Sequence, residues 1–214
     1  MIKAILFDFD GVILDSLEVK TKAFYEMYLP YGKDIAEKAA QHHLWHGGVS
    51  RFEKFKIYHQ EFLSQYIDEN KVSELCSEYS LRVKKEVINA PKVPGVLEFL
   101  EKNHQRFKYW IITGTPTSEI KDIIQAINLS HYFVDCFGSP EKKTYWTKKI
   151  LQENNFEPDE VVFIGDAFAD IEAAEIHGTH FILREHKDNQ FILKEKKLKS
   201  IKDFTEVERI LSTF

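Results

Sequence analysis

The sequence predicts an α/β fold in which a doubly wound, mostly parallel sheet carries an inserted α-helical segment. From residue 90 onward, short apolar runs alternate with amphipathic segments, as in a parallel sheet covered by helices on both faces. The apolar run at residues 2–7 is too short for a helix and indicates a fully buried strand. Residues 17–90 show helical periodicity and no strand pattern.

These observations divide the chain into two predicted regions. The first strand belongs with the alternating half, so residues 1–15 and 90–214 form one core and residues 16–89 form a helical insertion. Within the insertion, Gly47-Gly48 interrupts the helical pattern and predicts a loop over residues 45–50.

The alternating half predicts its elements in order. Pro94 is placed to open a helix that runs to about residue 103. Strands are predicted at residues 107–112, 132–137, 161–164 and 180–183, and helices near residues 120–127, 143–154, 169–177 and 205–211. The lysine-rich run at residues 194–199 indicates a solvated surface rather than a binding tail.

Composition limits the class of protein. The net charge of -5 argues against a nucleic-acid partner, because nucleic-acid binders usually carry a basic surplus. No run approaches the ~18 apolar residues of a membrane span, and the first residues do not resemble a signal segment. We therefore expect a cytoplasmic protein with no membrane partner. Cys76 and Cys136 show no metal-binding spacing, so reduced thiols are expected.

Polar residues of chemical interest follow three of the predicted strands. Asp8 and Asp10 follow the first, Thr113 ends the next, and Asp166 follows a later one, with Asp170 one turn further along. The carboxyl ends of parallel strands meet at one edge of a sheet, where active sites of open α/β sheets lie. Clustered carboxylates repel one another unless a cation neutralises them, and their hard oxygens suit Mg²⁺. The sequence therefore predicts a magnesium site at this edge.

Four motifs in this order resemble those of the haloacid dehalogenase (HAD) superfamily. They are residues 7–16 (FDFDGVILDS), 111–114 (IITG), 138–143 (GSPEKK) and 164–170 (IGDAFAD). The resemblance covers the whole core and implies a Rossmann-like sheet. The helical insertion lies where this family places a type-1 cap, as in the branch of phosphoglycolate phosphatases and β-phosphoglucomutases.

The resemblance implies a role for each motif residue. Asp8 would be the nucleophile and would form an aspartyl-phosphate. Asp10 would protonate the leaving oxygen and then activate water. Asp8, the backbone carbonyl of Asp10, and Asp166 would bind Mg²⁺, with Asp170 as a further ligand or a partner of the ligands.

The phosphoryl group would be held by the second and third motifs. Thr113 and the backbone N–H groups around Gly114 would bind phosphoryl oxygens, and a lysine would neutralise charge on the nucleophile and the phosphate. The Ser-Pro-x-x-Lys spacing favours Lys143, with Lys142 as the alternative.

Some of these residues also have a purely structural interpretation. In isolation, residues 8–11 fit an ordinary turn after a strand, and Asp170 fits a first-turn helix acid. Asp15 fits a structural hydrogen-bonding residue near the hinge of the insertion.

In the insertion, His46 and Arg51 are candidates for substrate specificity, and Arg51 is placed to grip a second anionic group. Solvent-facing or packed side chains are the alternative for both. His42, His43 and His46 lack the spacing of a zinc site.

The function predicted is a Mg²⁺-dependent phosphatase acting on a small phosphorylated metabolite. The dehalogenase branch of the superfamily that the sequence resembles does not need a general acid two residues after the nucleophile, so the resemblance together with Asp10 points to phosphoryl transfer. A β-phosphoglucomutase-like phosphomutase is the alternative, followed by a non-catalytic binding domain on the same fold. The sequence leaves the substrate and the oligomeric state open.

Overall fold

A central sheet of six parallel strands organises the computed structural model, which describes residues 1–214. The strand order is β3-β2-β1-β4-β5-β6. The strands are β1 (Ala4–Phe7), β2 (Lys108–Pro116), β3 (Asp135–Ser139), β4 (Val161–Gly165), β5 (His180–Arg184) and β6 (Lys199–Ile201). β1 lies between β2 and β4, so the order of the strands along the chain reverses at β1. The predicted α/β fold with a parallel sheet is confirmed.

Both faces of the sheet are apolar, which explains why its central strands are continuous apolar runs. Ile5 and Phe7 of β1 belong to one buried cluster, whereas Ala4 and Leu6 belong to another on the opposite face. Residues of α5 (Val96–Asn103), α6 (Thr117–Ala126) and α10 (Val207–Leu211) pack in the first cluster; residues of α7 (Lys143–Asn154) and α8 (Phe168–His177) pack in the second. The sheet is therefore covered by helices on both sides.

The segment between β1 and α5 is helical, as its periodicity predicts. It contains α1 (Leu17–Tyr28), α2 (Lys33–Trp45), α3 (Arg51–Ile57) and α4 (Glu69–Ile88), a 3-10 turn at Leu29–Tyr31 and a π-helical turn at Tyr58–Phe62. We call this segment the helical insert. Its interior is aromatic: the ring of Phe24 lies against those of Phe55, Tyr58 and Tyr79. The division of the chain into a core and a cap at residues 16 and 89 stays a prediction.

Several element bounds differ from those predicted. β2 continues past Ile112 to Pro116, and its pairing with β3 is irregular between these two residues. β3 begins at Asp135, because Ser130–Tyr132 forms a 3-10 turn. α9 (Gln190–Glu195) and β6 were not predicted, since α9 has only six residues and β6 only three. No helix has both the length and the apolar character needed to cross a membrane.

Candidate active site

Three aspartates meet where β1 and β4 end. Phe7 is in register with Ile164, and the backbone N–H of Asp8 donates to the Ile164 carbonyl at 2.9 Å. This register places Asp8 beside the residues that follow β4. Carboxylate oxygens of Asp8, Asp166 and Asp170 lie within 4.8 Å of one another, and all three side chains are buried. The cluster lies at the reversal of strand order, where open α/β sheets bind their ligands.

Asp170 connects two parts of this cluster. Its Oδ2 accepts hydrogen bonds from the backbone N–H groups of Asp166 and Ala167, at 3.2 and 3.1 Å. Its Oδ1 accepts from Lys143 Nζ at 2.6 Å. Asp170 therefore does more than favour the start of α8, since it also fixes the loop that carries Asp166.

Lys143 is the lysine of the cluster. As the first residue of α7 it is buried, and its Nζ lies 2.9 Å from Asp8 Oδ2. Lys142 precedes the helix and is exposed. Lys143, and not Lys142, therefore lies beside Asp8.

The charges of the cluster are not balanced by Lys143 alone. Burial raises the pKa of Asp8 well above its ordinary value, Asp170 and Asp166 raise it further, and Lys143 opposes the shift. Burial also raises the pKa of Asp170. Burial disfavours the charge of Lys143, but Asp170 and Asp8 outweigh it, so the pKa of Lys143 is raised. A site made of buried carboxylate oxygens with too little positive charge fits a divalent cation that prefers oxygen ligands, as Mg²⁺ does.

Asp10 has different partners from the other aspartates. Its Oδ1 accepts from Ser16 Oγ at 2.6 Å, and its Oδ2 forms an ion pair with Lys20 of α1. Lys20 also donates to Thr115 Oγ1 at 2.7 Å. Burial opposes the charge of Asp10, but Lys20 and the hydrogen bonds outweigh it and lower the pKa of Asp10. The Asp10 side chain is thus outside the metal-ligand cluster, which leaves only its backbone carbonyl for the predicted metal contact.

The glycine loop of the helical insert packs directly on the strand ends. A Cβ added to Gly48 would lie 3.0 Å from Ala169 Cβ and 3.2 Å from Lys143 Nζ, and one added to Gly114 would lie 2.8 Å from the Gly48 carbonyl oxygen. Thr113 is buried beside Gly114, and both line the cavity that contains Asp8. The sequence predicted this loop but not the close approach that makes glycine necessary.

The guanidinium group of Arg51 is already paired in this structure and is therefore not available to bind a substrate anion. Its Nη1 and Nη2 bind both carboxylate oxygens of Glu119 on α6, at 2.9 and 2.8 Å, and Ser80 bonds to the same pair. Burial opposes the charge of Glu119, but Arg51 outweighs it and lowers the pKa of Glu119. The expectation that Arg51 serves a second anionic group therefore does not fit its contacts, because its charge is already paired.

His46 does not line the cavity, although Arg51 does. It is exposed and stacks on His42 with the ring centroids 4.1 Å apart. His42 contacts the Tyr58 hydroxyl at 3.2 Å, whereas His43 contacts Lys54. These histidines have separate partners rather than a shared ligand site.

Several residues that sequence reasoning missed complete the site. Lys20 and Lys54 of the helical insert line the cavity, as does His186. His186 Nε2 lies 3.1 Å from Asp166 Oδ2, and Asn189 Nδ2 donates to the Asp166 carbonyl at 2.9 Å. Lys20 lies one helical turn after Ser16, and this position could have indicated from the sequence that it belongs to the site. The others follow no strand-end motif and carry no comparable signal.

Comparison with known proteins gives consistent matches. The family model described as "Haloacid dehalogenase-like hydrolase" matches residues 5–184. A "Phosphorylated carbohydrates phosphatase" of Thermotoga maritima is 28% identical over 184 residues, covering 82% of each chain. A "Phosphoglycolate phosphatase" of Aquifex aeolicus is 27% identical over 188 residues, covering 83% of this chain and 82% of its own. Among solved structures, β-phosphoglucomutase from Clostridium difficile superposes with a TM-score of 0.79 at 20% identity, covering 99% of this chain and 96% of its own.

Proposed function

The chain belongs to the haloacid dehalogenase-like hydrolase family, and on this basis we propose that it is a Mg²⁺-dependent phosphatase acting through an aspartyl-phosphate on Asp8. The observation that carries the proposal is the position of Asp8. It follows the central strand, is buried, and contacts Lys143 within a cluster of carboxylates. A small phosphorylated metabolite is the proposed substrate, in keeping with the names of the two curated relatives.

The chemistry assigned to Asp8 is nucleophilic. One carboxylate oxygen of Asp8 attacks phosphorus, the bond between phosphorus and the ester oxygen breaks, and the leaving oxygen takes a proton from Asp10. Water then attacks the phosphorus of the aspartyl-phosphate and gives its proton to Asp10, which releases phosphate and restores Asp8. Splitting one displacement in this way replaces a difficult step by two easier ones.

The contacts of Asp10 suit the second half of this cycle. Ser16 and Lys20 stabilise Asp10 as a carboxylate, which is the form that accepts a proton from water. The first half requires a protonated Asp10. We therefore expect substrate binding to weaken the contact between Lys20 and Asp10 before the ester bond breaks.

The remaining residues stabilise charge. Lys143, Thr113 and the backbone N–H groups near Gly114 would hold the phosphoryl oxygens. In support, Thr113 and Gly114 line the cavity that contains Asp8, and Lys143 Nζ lies 2.9 Å from Asp8 Oδ2. Asp8, Asp166 and Asp170 would hold Mg²⁺. When bound, the ion neutralises the carboxylates and polarises the phosphoryl group.

The test is phosphate release from a panel of phosphomonoesters, with Mg²⁺ and with EDTA. We expect Asp8→Asn to lose at least about 10³-fold in kcat/KM, because an amide is a poor nucleophile. Asp15→Asn is the matched control, since Asp15 follows the same strand but is exposed. Unchanged turnover in Asp8→Asn, or full activity in EDTA, would contradict the proposal. Interconversion of sugar phosphates without phosphate release would identify the phosphomutase instead.

A further inference from the structure

The helical insert buries three cations near the candidate active site, and they differ in how their charges are compensated. Lys20, Arg51 and Lys54 are all less than a tenth exposed. Lys20 is paired with Asp10, and Arg51 is paired with Glu119. Lys54 forms no ion pair with a carboxylate. It is therefore the one cation of this group that has no carboxylate partner.

Burial makes a positive charge on Lys54 costly, since its side chain, on α3, is 1% exposed. Its Nζ lies 5.7 Å from the centroid of the Phe24 ring, a cation–π contact that favours the charge but does not neutralise it. Burial lowers the pKa of Lys54 to about 7, and the charge of Lys20 acts in the same direction. A buried ammonium without a partner is costly, so such residues are usually paired.

The one polar partner of Lys54 is His43, at 2.8 Å from its Nζ to Nδ1 of the ring. Burial, together with the Lys54 charge, holds the pKa of His43 well below its ordinary value. A neutral ring can accept a hydrogen bond from the ammonium, which has three donors. This contact orients Lys54 and leaves its other N–H bonds available.

Lys54 lines the same cavity as Asp8, Thr113 and Gly114. The phosphoryl group that reacts with Asp8 already has Lys143 beside it, so a cation on the insert is suited to a different group of the substrate. The cavity has a volume of about 60 Å³ and is also lined by Phe24 and Tyr79, which favours a compact molecule.

We propose that Lys54, oriented by neutral His43, is a specificity-determining residue that binds a second anionic group of the phosphomonoester, either a carboxylate or a second phosphoryl group. This inference rests on the proposed function, because it assumes that the reacting phosphoryl group lies at Asp8. The role of binding a second anionic group, which the sequence suggested for Arg51, is thereby assigned to Lys54. The charge of Arg51 is already paired, and Lys54 lies three residues further along the same helix.

Steady-state kinetics of Lys54→Met tests the inference. Methionine keeps most of the length of lysine and removes its charge. The probes are phosphoglycolate, which carries a carboxylate, a sugar bisphosphate, which carries a second phosphoryl group, and 2-hydroxyethyl phosphate, whose remainder is neutral. We expect the preference of the wild type for an anionic probe over the neutral one, as a ratio of kcat/KM, to fall by about 10- to 100-fold. Which anionic probe shows the fall identifies the group.

Lys56→Met is the matched control, since Lys56 lies on the same helix but is exposed and paired with Glu69. Its ratio should equal that of the wild type. An equal loss on all three probes in Lys54→Met, or no preference in the wild type, would overturn the inference.

A binding measurement separates this inference from the proposed function. Calorimetry with 3-phosphonopropionate and 3-hydroxypropylphosphonate, which cannot be hydrolysed, compares an anionic and a neutral ligand without turnover. The role of Lys54 would be supported if the wild type bound 3-phosphonopropionate more tightly than 3-hydroxypropylphosphonate and Lys54→Met bound the two equally. This result would hold even if no ester were cleaved. Equal binding of the two by the wild type would overturn it even if esters were cleaved.

Discussion

The sheet edge and the helical insert face each other across one cavity and carry opposite excess charge. At the edge, Asp8 and Asp170 share one lysine, Lys143, and Asp166 contacts His186. The insert brings buried cations to the same cavity, of which Lys54 has no carboxylate partner. The edge therefore requires additional positive charge, and the insert requires additional negative charge. A metal ion at the edge and an anionic substrate below the insert would satisfy both requirements.

A buried ion pair joins Arg51 of the insert to Glu119 of α6, a helix that covers the sheet. We expect Glu119→Ala to lower the free energy of unfolding by about 3–5 kcal/mol, because it leaves Arg51 buried and unpaired. Urea denaturation measures the change. Asp122→Ala is the control: Asp122 lies on the same helix and pairs with Lys84 of the insert, but this pair is exposed and should contribute less than about 1 kcal/mol. Equal effects of the two variants would show that burial of the pair is unimportant.

The next largest effect concerns the lysine of the sheet edge. Lys143→Met should lower kcat/KM by about 10²- to 10³-fold, because it removes a charge next to the nucleophile. Lys142→Met, one residue earlier and exposed, should leave the rate near that of the wild type. Steady-state phosphate release compares the two. A larger loss in Lys142→Met would reverse the assignment.

The contact between the two regions at the glycine loop can be tested separately. Gly48 has a positive φ of 78°, and a methyl group there would press on Ala169 and Lys143. We expect Gly48→Ala to lower kcat/KM by about 10- to 100-fold, since displacement of Lys143 misplaces the phosphoryl group. Gly32→Ala isolates the effect of backbone strain, because Gly32 also has a positive φ, 112°, but no atom lies within 4 Å of an added Cβ. Equal kcat/KM values for Gly48→Ala and Gly32→Ala would show that the close approach of Gly48 to Ala169 and Lys143 does not affect catalysis.

A further prediction is a pH dependence of stability that comes from Lys54. Its pKa is about 7 in the folded chain and about 10.4 in an unfolded one. Between these values the unfolded chain binds more protons, so the contribution of Lys54 to the free energy of unfolding rises by about 1.4 kcal/mol per pH unit.

Lys54→Met lacks this contribution. Its stability relative to the wild type should therefore be greatest below pH 7 and should decline toward pH 10. Denaturation of both proteins between pH 6 and 10 measures the difference. The other charged groups that act on Lys54 stay in place in both proteins: Lys20, Asp10, Lys143 and Arg51. Parallel stability curves would show that folding does not lower the pKa of Lys54.

The sequence alone was sufficient for the fold class and for the residues at the sheet edge. Short apolar runs determine buried strands, and the residues after parallel strands meet at one edge whatever covers the sheet. Asp8, Thr113 and Asp166 could therefore be grouped without coordinates. The short α9 and β6 escaped prediction because too few residues contribute to a periodic pattern.

Tertiary structure alone decided how the charges of the insert are used. Arg51 and Lys54 are three residues apart on one helix, and nothing in their local sequence distinguishes a paired cation from an unpaired one. The difference arises because Glu119, 68 residues away from Arg51 in the chain, reaches Arg51 and not Lys54. Local sequence determines which residues form a helix, whereas the partner of a buried charge depends on which distant element packs against it.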